Sequence, residues 1–161
     1  MATSTFDLNV FESGSGGELA IISNDIHTSE KLYQTIYLAL FGGNLEASTI
    51  GNEIASEERF DWWGNSLIFG TRQTKQFNSE TERILDKVVL NSSGRLKIQS
   101  AVENDLSFIK NIVNFTVNIV ILDINKIAIN IVLESLANQQ DKQLQFIWDN
   151  AKNELIINRV I

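Results

Sequence analysis

Apolar and polar residues alternate with period two near both ends of this chain, and recur at helical spacing between. Phe6-Asp7-Leu8-Asn9-Val10-Phe11 alternates, the mark of a strand with one covered face, which would turn Phe6, Leu8 and Val10 to the core. Ser13 to Gly17 supplies turn residues able to take a positive φ, and Glu18-Leu19-Ala20-Ile21-Ile22 follows as the second arm of a hairpin. Leu32, Tyr33, Ile36, Tyr37, Leu40 and Phe41 then fall three and four apart, which predicts a helix capped at Thr28 or Ser29. Gly42-Gly43 would end it, since glycine takes the left-handed conformation without steric cost.

Asn44 to Glu58 reads as a polar surface connection, and Gly70 to Asn78 as another after Leu67-Ile68-Phe69. Ser79-Glu80-Thr81-Glu82 has the spacing of a capping box, opening a helix whose covered face would hold Ile84, Leu85, Val88 and Val89. Asn91 to Gly94 interrupts that pattern. Leu96, Val102, Leu106, Ile109 and Val113 predict a further helix with a break at Asn104-Asp105.

The last third returns to period two. Phe115, Val117, Ile119 and Ile121 alternate, Asp123 to Lys126 can turn, and Ile127, Ile129, Ile131 and Leu133 alternate back, predicting an antiparallel hairpin. Ser135 to Lys142 is a polar loop. Leu144, Phe146 and Trp148 then mark a strand, Asp149 to Asn153 a turn, and Leu155-Ile156-Ile157 a returning strand that continues to Ile161. An apolar strand at that position either pairs internally or offers its edge to another chain. The prediction is one α+β domain over 1–161: N-terminal strands in 1–25, a part with two or three helices in 28–113, and a small antiparallel β part in 114–161.

Composition narrows the chemistry. A formal net charge of −7, with no run of Lys or Arg, argues against a nucleic-acid partner. The absence of cysteine excludes disulfides and thiolate chemistry, and a single histidine, His27, leaves little for zinc or His-based catalysis. His27 reads as a surface residue beside the helix start. Met1 to Thr5 has neither a basic n-region nor an apolar h-region, so no secretory signal is expected. The apolar stretch 115–133 carries Asn118, Asp123, Asn125, Lys126 and Asn130, which predicts no membrane span.

Candidate sites are few. Glu53, Glu57, Glu58 and Asp61 lie close in sequence and could furnish the acid pair of a glycosidase, with Glu57 or Glu58 as the acid. Nothing around them reads as a cleft. Asp123-Ile124-Asn125 and Asp149-Asn150 lack the spacing of a calcium loop and read as hairpin turns. Gly14 to Gly17 lacks the Lys and Ser/Thr of a phosphate loop. The expectation is a non-enzyme without metal or cofactor. Trp62-Trp63, in Arg59-Phe60-Asp61-Trp62-Trp63-Gly64-Asn65, packs in the core or anchors a protein interface.

That stretch carries a resemblance. An apolar helix ending at Leu40-Phe41, a polar linker, an arginine before Trp-Trp-Gly, a helix opening Ser-Glu-Thr-Glu and a β-rich C-terminal part resemble the baseplate wedge family of Mu-like contractile-tailed phages. That family is similar to the small wedge and sheath-initiator proteins once labelled lysozymes. It commonly has Arg, one residue, then Trp-Trp-Gly-Asp. Here Phe60 and Asp61 separate Arg59 from Trp62, and Asn65 stands at the acid's place.

The resemblance implies a structural subunit of a virion's tail baseplate, assembled in the host cytoplasm in six copies or a multiple of six. Its partners would be wedge and hub proteins and the tail sheath, reached by helix packing and strand addition. Arg59, Trp62, Trp63, Gly64 and Asn65, with Leu155, Ile157 and Val160 on the last strand, are the expected contacts. The alternatives are a peptidoglycan-degrading lysozyme-like enzyme and the equivalent adaptor of a cellular contractile injection particle.

Overall fold

The computed structural model describes residues 6–13, 16–19, 21–42, 67–70, 77, 79–134, 141–152 and 154–161. The architecture is α+β, in two compact units, Met1–Ser79 and Glu80–Ile161.

The N-terminal strands of the first unit form a branched ribbon, not one long hairpin. β1 (Phe6–Leu8) pairs antiparallel with β6 (Thr28–Glu30) as a stem. Two arms leave that stem: β2 (Val10–Ser13) with β3 (Gly16–Leu19), and β4 (Ile21–Ile22) with β5 (Asp25–Ile26). The first arm is the expected hairpin, with Val10 opposite Leu19, although Gly16 and Gly17 lie within β3. The second arm was hidden in the sequence. Ser23 and Asn24 both take positive φ, 54° and 64°, the geometry a two-residue turn needs to match strand twist. Asn9 and His27 close the junction. The Asn9 amide donates to the His27 carbonyl at 3.0 Å, and the side chains meet Nδ2 to Nδ1 at 2.9 Å.

This branching corrects three expectations. Leu8 is 46% exposed and not in the core, because alternation names two faces without saying which one is covered. Thr28 and Ser29 are stem residues held extended by β1, so neither caps a helix; α1 runs Lys31–Phe41. Gly42 ends α1 without a positive φ; a Cβ there would run into the Leu38 carbonyl. Ile36 to Phe41 are all buried, so α1 is enclosed on every side at its C-terminal end. The Ser79 hydroxyl donates to the Leu40 carbonyl, satisfying one acceptor of the helix's last turn.

In the second unit, α2 (Glu80–Lys87) packs against α3 (Ser92–Asp105), followed by a 3₁₀ turn at Ser107–Asn111. Asn91 caps α3 by accepting from the Gly94 amide at 2.8 Å. The covered stripe is Gly94, Ile98, Ala101 and Val102, continued by Leu106 and Ile109. Leu96 and Val89, both expected to be covered, are 56% and 72% exposed. α2 stops at Lys87, which leaves Val89 in the connection, and Leu96 falls off the stripe because its spacing to Val102 is not the three, four or seven residues of one helix face. The break at Asn104-Asp105 is where it was expected.

Asp105 has a second duty. Its carboxylate accepts from the amides of Glu80 and Thr81 at 3.0 and 2.8 Å, taking two N–H groups of the α2 N-terminus. Burial raises its carboxyl above the ordinary 3.8, against those hydrogen bonds, which pull it down; the nearby Glu80 charge adds to the rise. Between the unfolded and folded values the native state therefore holds more proton than the unfolded one. Asp105's titration contribution is full below the unfolded value and is lost as pH climbs through the folded value. Thermal midpoints of wild type and Asp105→Asn, compared from about pH 3 upward through the ordinary carboxylate range, should diverge in the variant's favour as pH rises. A gap independent of pH would refute this.

The sheet follows. β7 (Phe115–Asp123), β8 (Lys126–Leu133), β9 (Lys142–Asp149) and β10 (Glu154–Val160) form one antiparallel sheet in the order β10-β9-β8-β7. Ile119, Ile127, Ile129, Ile131, Leu133, Leu144, Phe146 and Trp148 are buried on one face, and α3 packs along β7. The two expected turns are present: Asp123 Oδ1 accepts from the Ile124 amide at 2.7 Å, and Asp149 Oδ1 from Ala151 at 3.0 Å. None of the described helices is long and apolar enough to cross a membrane.

Candidate functional site

β10 is one of the two edges of this sheet, β7 being the other, and no described strand continues it. Its backbone phase decides what it can bind. In an antiparallel pair, residues alternate between turning both N–H and C=O toward the partner and turning them away. The Ile161 amide donates to the Gln143 carbonyl at 2.7 Å, which sets that phase at one end. Arg159 opposite Gln145, and Ile157 opposite Ile147, therefore also face β9. Asn158 and Val160, opposite Phe146 and Leu144, turn their N–H and C=O groups to the open side. A register shift between Leu155 and Ile157 bends the strand's first part, leaving the regular stretch at 157–161.

Three of the expected contact residues thus lie on a real edge. Leu155 is half-buried opposite Trp148, Ile157 follows the bulge, and Val160 is 51% exposed. Arg59, Trp62, Trp63, Gly64 and Asn65 lie outside the described residues, as do Glu53, Glu57, Glu58 and Asp61. Among the described residues no group of three or more acidic or histidine side chains could hold a metal. His27, read as a surface residue, is half-buried and part of the ribbon junction.

One feature of the sheet escaped the sequence reading. Asn118, Asn130, Gln145 and Arg159 stand directly opposite one another across all four strands, in a polar row on the face away from Phe146 and Ile129. Arg159 donates through Nε and one terminal nitrogen to Gln145 Oε1 at 3.0 and 2.5 Å. Gln145 Nε2 donates to Asn130 Oδ1 at 2.8 Å, and Asn130 Nδ2 approaches the Asn118 carbonyl at 3.5 Å. A guanidinium can only donate, so Gln145 must offer its oxygen to Arg159 and its nitrogen to Asn130. The row has a direction, and it ends on Arg159 at the open edge. Polar residues inside these apolar strands are visible in the sequence, but only the register shows that these four align.

No family description, curated protein or solved structure matches this chain.

Proposed function

We propose that this protein is a structural subunit of a contractile-tail baseplate, of the wedge or sheath-initiator kind. It joins wedge subunits to the first sheath ring by helix packing and by accepting an extended segment as a further strand. The observation that carries the reading is β10, an open edge whose Asn158 and Val160 backbone groups face away from the sheet. The Arg59 to Asn65 stretch, with its Trp-Trp-Gly, supports the baseplate setting. In this reading the protein catalyses nothing and needs no cofactor. Its work is geometric, repeated around a six-fold hub among the wedge, hub and sheath proteins of the virion.

Imaging of baseplates assembled with and without residues 154–161 tests it. The full chain is expected in a ring of six-fold symmetry with sheath growing from it. The truncated chain, checked for retained fold by circular dichroism, is expected to join the ring and fail to start sheath. Normal sheath on the truncated ring would remove strand addition, and absence of the full chain from any six-fold ring would remove the baseplate assignment.

A further inference from the structure

The polar row across the sheet has no evident purpose within the second unit. Its end residue, Arg159, is exposed, and among the described residues no carboxylate pairs with it. The one described salt bridge on this strand is Lys152 with Glu154, at 3.4 Å, before the bulge. Guanidinium carries five N–H donors, and Gln145 takes two of them, so donors remain for a further acceptor. Gln145, held in turn by Asn130, fixes the plane in which those donors lie.

Position matters as much as charge. Arg159 turns its backbone toward β9, so a residue added directly opposite it on the open side would form the non-hydrogen-bonded type of pair. That type brings side chains closest, and opposite charges there stabilise the pairing. Asn158 and Val160, on either side, would exchange backbone hydrogen bonds with the incoming residues.

We infer that β10 accepts an extended protein segment bearing an aspartate or glutamate opposite Arg159, with an apolar residue immediately before it opposite Val160. The inference rests on the strand-addition reading and names the chemistry of the strand. The order follows from antiparallel addition, which continues the pattern of the whole sheet: the residue meeting Val160 precedes the one meeting Arg159. Val160, half exposed beside Leu144, gains cover from an apolar neighbour. The segment is assigned to a chain other than a second copy pairing through this same stretch. Arg159 is the only charged residue in the regular stretch 157–161, so two copies paired through it would set Arg159 against Arg159 or against an uncharged residue.

The test uses the full chain and three synthetic ten-residue (about the length of a long strand) threonine–valine peptides. They carry a central Val-Asp, Val-Asn or Val-Lys at the same place. Amide NMR shifts of Asn158 and Val160 report docking at this edge. The Val-Asp and Val-Asn peptides are expected to shift these amides, the Val-Asp form with about three- to fivefold higher affinity. Arg159→Gln is expected to erase that preference, and Arg159→Glu to reverse it toward a Val-Lys peptide. Equal affinities for Val-Asp and Val-Asn in wild type would overturn the acidic pairing while leaving strand addition standing. No shift with any peptide would overturn both, and concentration-dependent shifts without peptide would show that a second copy takes the edge instead.

Discussion

Truncation of Phe146 to alanine is expected to cost the second unit about 3–5 kcal/mol, the range for a fully buried aromatic removed from a packed core. Phe146 is 1% exposed and sits mid-strand on β9, flanked on the same face by Leu144 and Trp148 and directly opposite Ile129 on β8. All of these neighbours belong to strands already fixed by cross-strand hydrogen bonds, so the space left behind cannot close by a small backbone shift. Domains are commonly stable by only about 5–15 kcal/mol, so the loss removes a large share of the total. Urea unfolding followed by the strand signal in circular dichroism measures it. Ile124→Ala, at a hairpin turn residue 81% exposed, should stay within about 0.5 kcal/mol. A Phe146 variant as stable as the Ile124 variant would mean that the face read as core is not one.

Why Phe146 could be identified from sequence and Leu8 could not is a matter of how many partners each strand needs. Between Phe115 and Ile161 the chain holds three alternating runs and a final apolar one, each joined to the next by a polar connection. Sequential pairing then leaves little choice of register, and a register slip would turn Ile119, Ile129 and Phe146 out of the core together. Between Phe6 and Glu30 the strands are two to four residues long, and the stem partner of β1 is not its neighbour in sequence but β6. Alternation cannot announce a pairing of that kind. The helices show an intermediate case. Val102, Leu106 and Ile109 lie in the core as their spacing predicts, whereas Leu96 does not, because its spacing to Val102 is not the three, four or seven residues of one helix face. The carboxylate of Asp105 reaching back to the Glu80 and Thr81 amides has no local signature at all.

The candidate site divides in the same way. That the last strand is apolar was evident, and Leu155, Ile157 and Val160 could be named from it. Which backbone groups of that strand remain open depends on its hydrogen-bond phase, and the phase follows from the partner, not from the strand's own residues. Arg159 is the clearest example. In sequence it interrupts an apolar strand; in register it ends a row that begins at Asn118.

The phase also allows docking and stability to be separated by two adjacent proline substitutions. Proline has no N–H and cannot donate to a ladder. The Val160 N–H faces the open side, so Val160→Pro removes no hydrogen bond from the sheet, and edge strands tolerate proline in that orientation. It does remove the donor that an added strand needs, and its ring enters the path of that strand. If the protein initiates sheath as proposed, Val160→Pro is therefore expected to leave the thermal midpoint nearly unchanged while reducing sheath initiation on assembled baseplates by about tenfold or more, the effect of about 1.4 kcal/mol. Ile161→Pro should behave in the opposite sense. The Ile161 amide is bonded to the Gln143 carbonyl at 2.7 Å, so its loss costs the sheet about 1 kcal/mol and leaves the open-side donors of Asn158 and Val160 in place. If both variants lose sheath initiation equally while keeping the same stability, the outward phase of Val160 is not what the partner reads. If Val160→Pro destabilises the protein more than Ile161→Pro does, the phase itself is reversed, and the docking groups are those of Ile157 and Arg159.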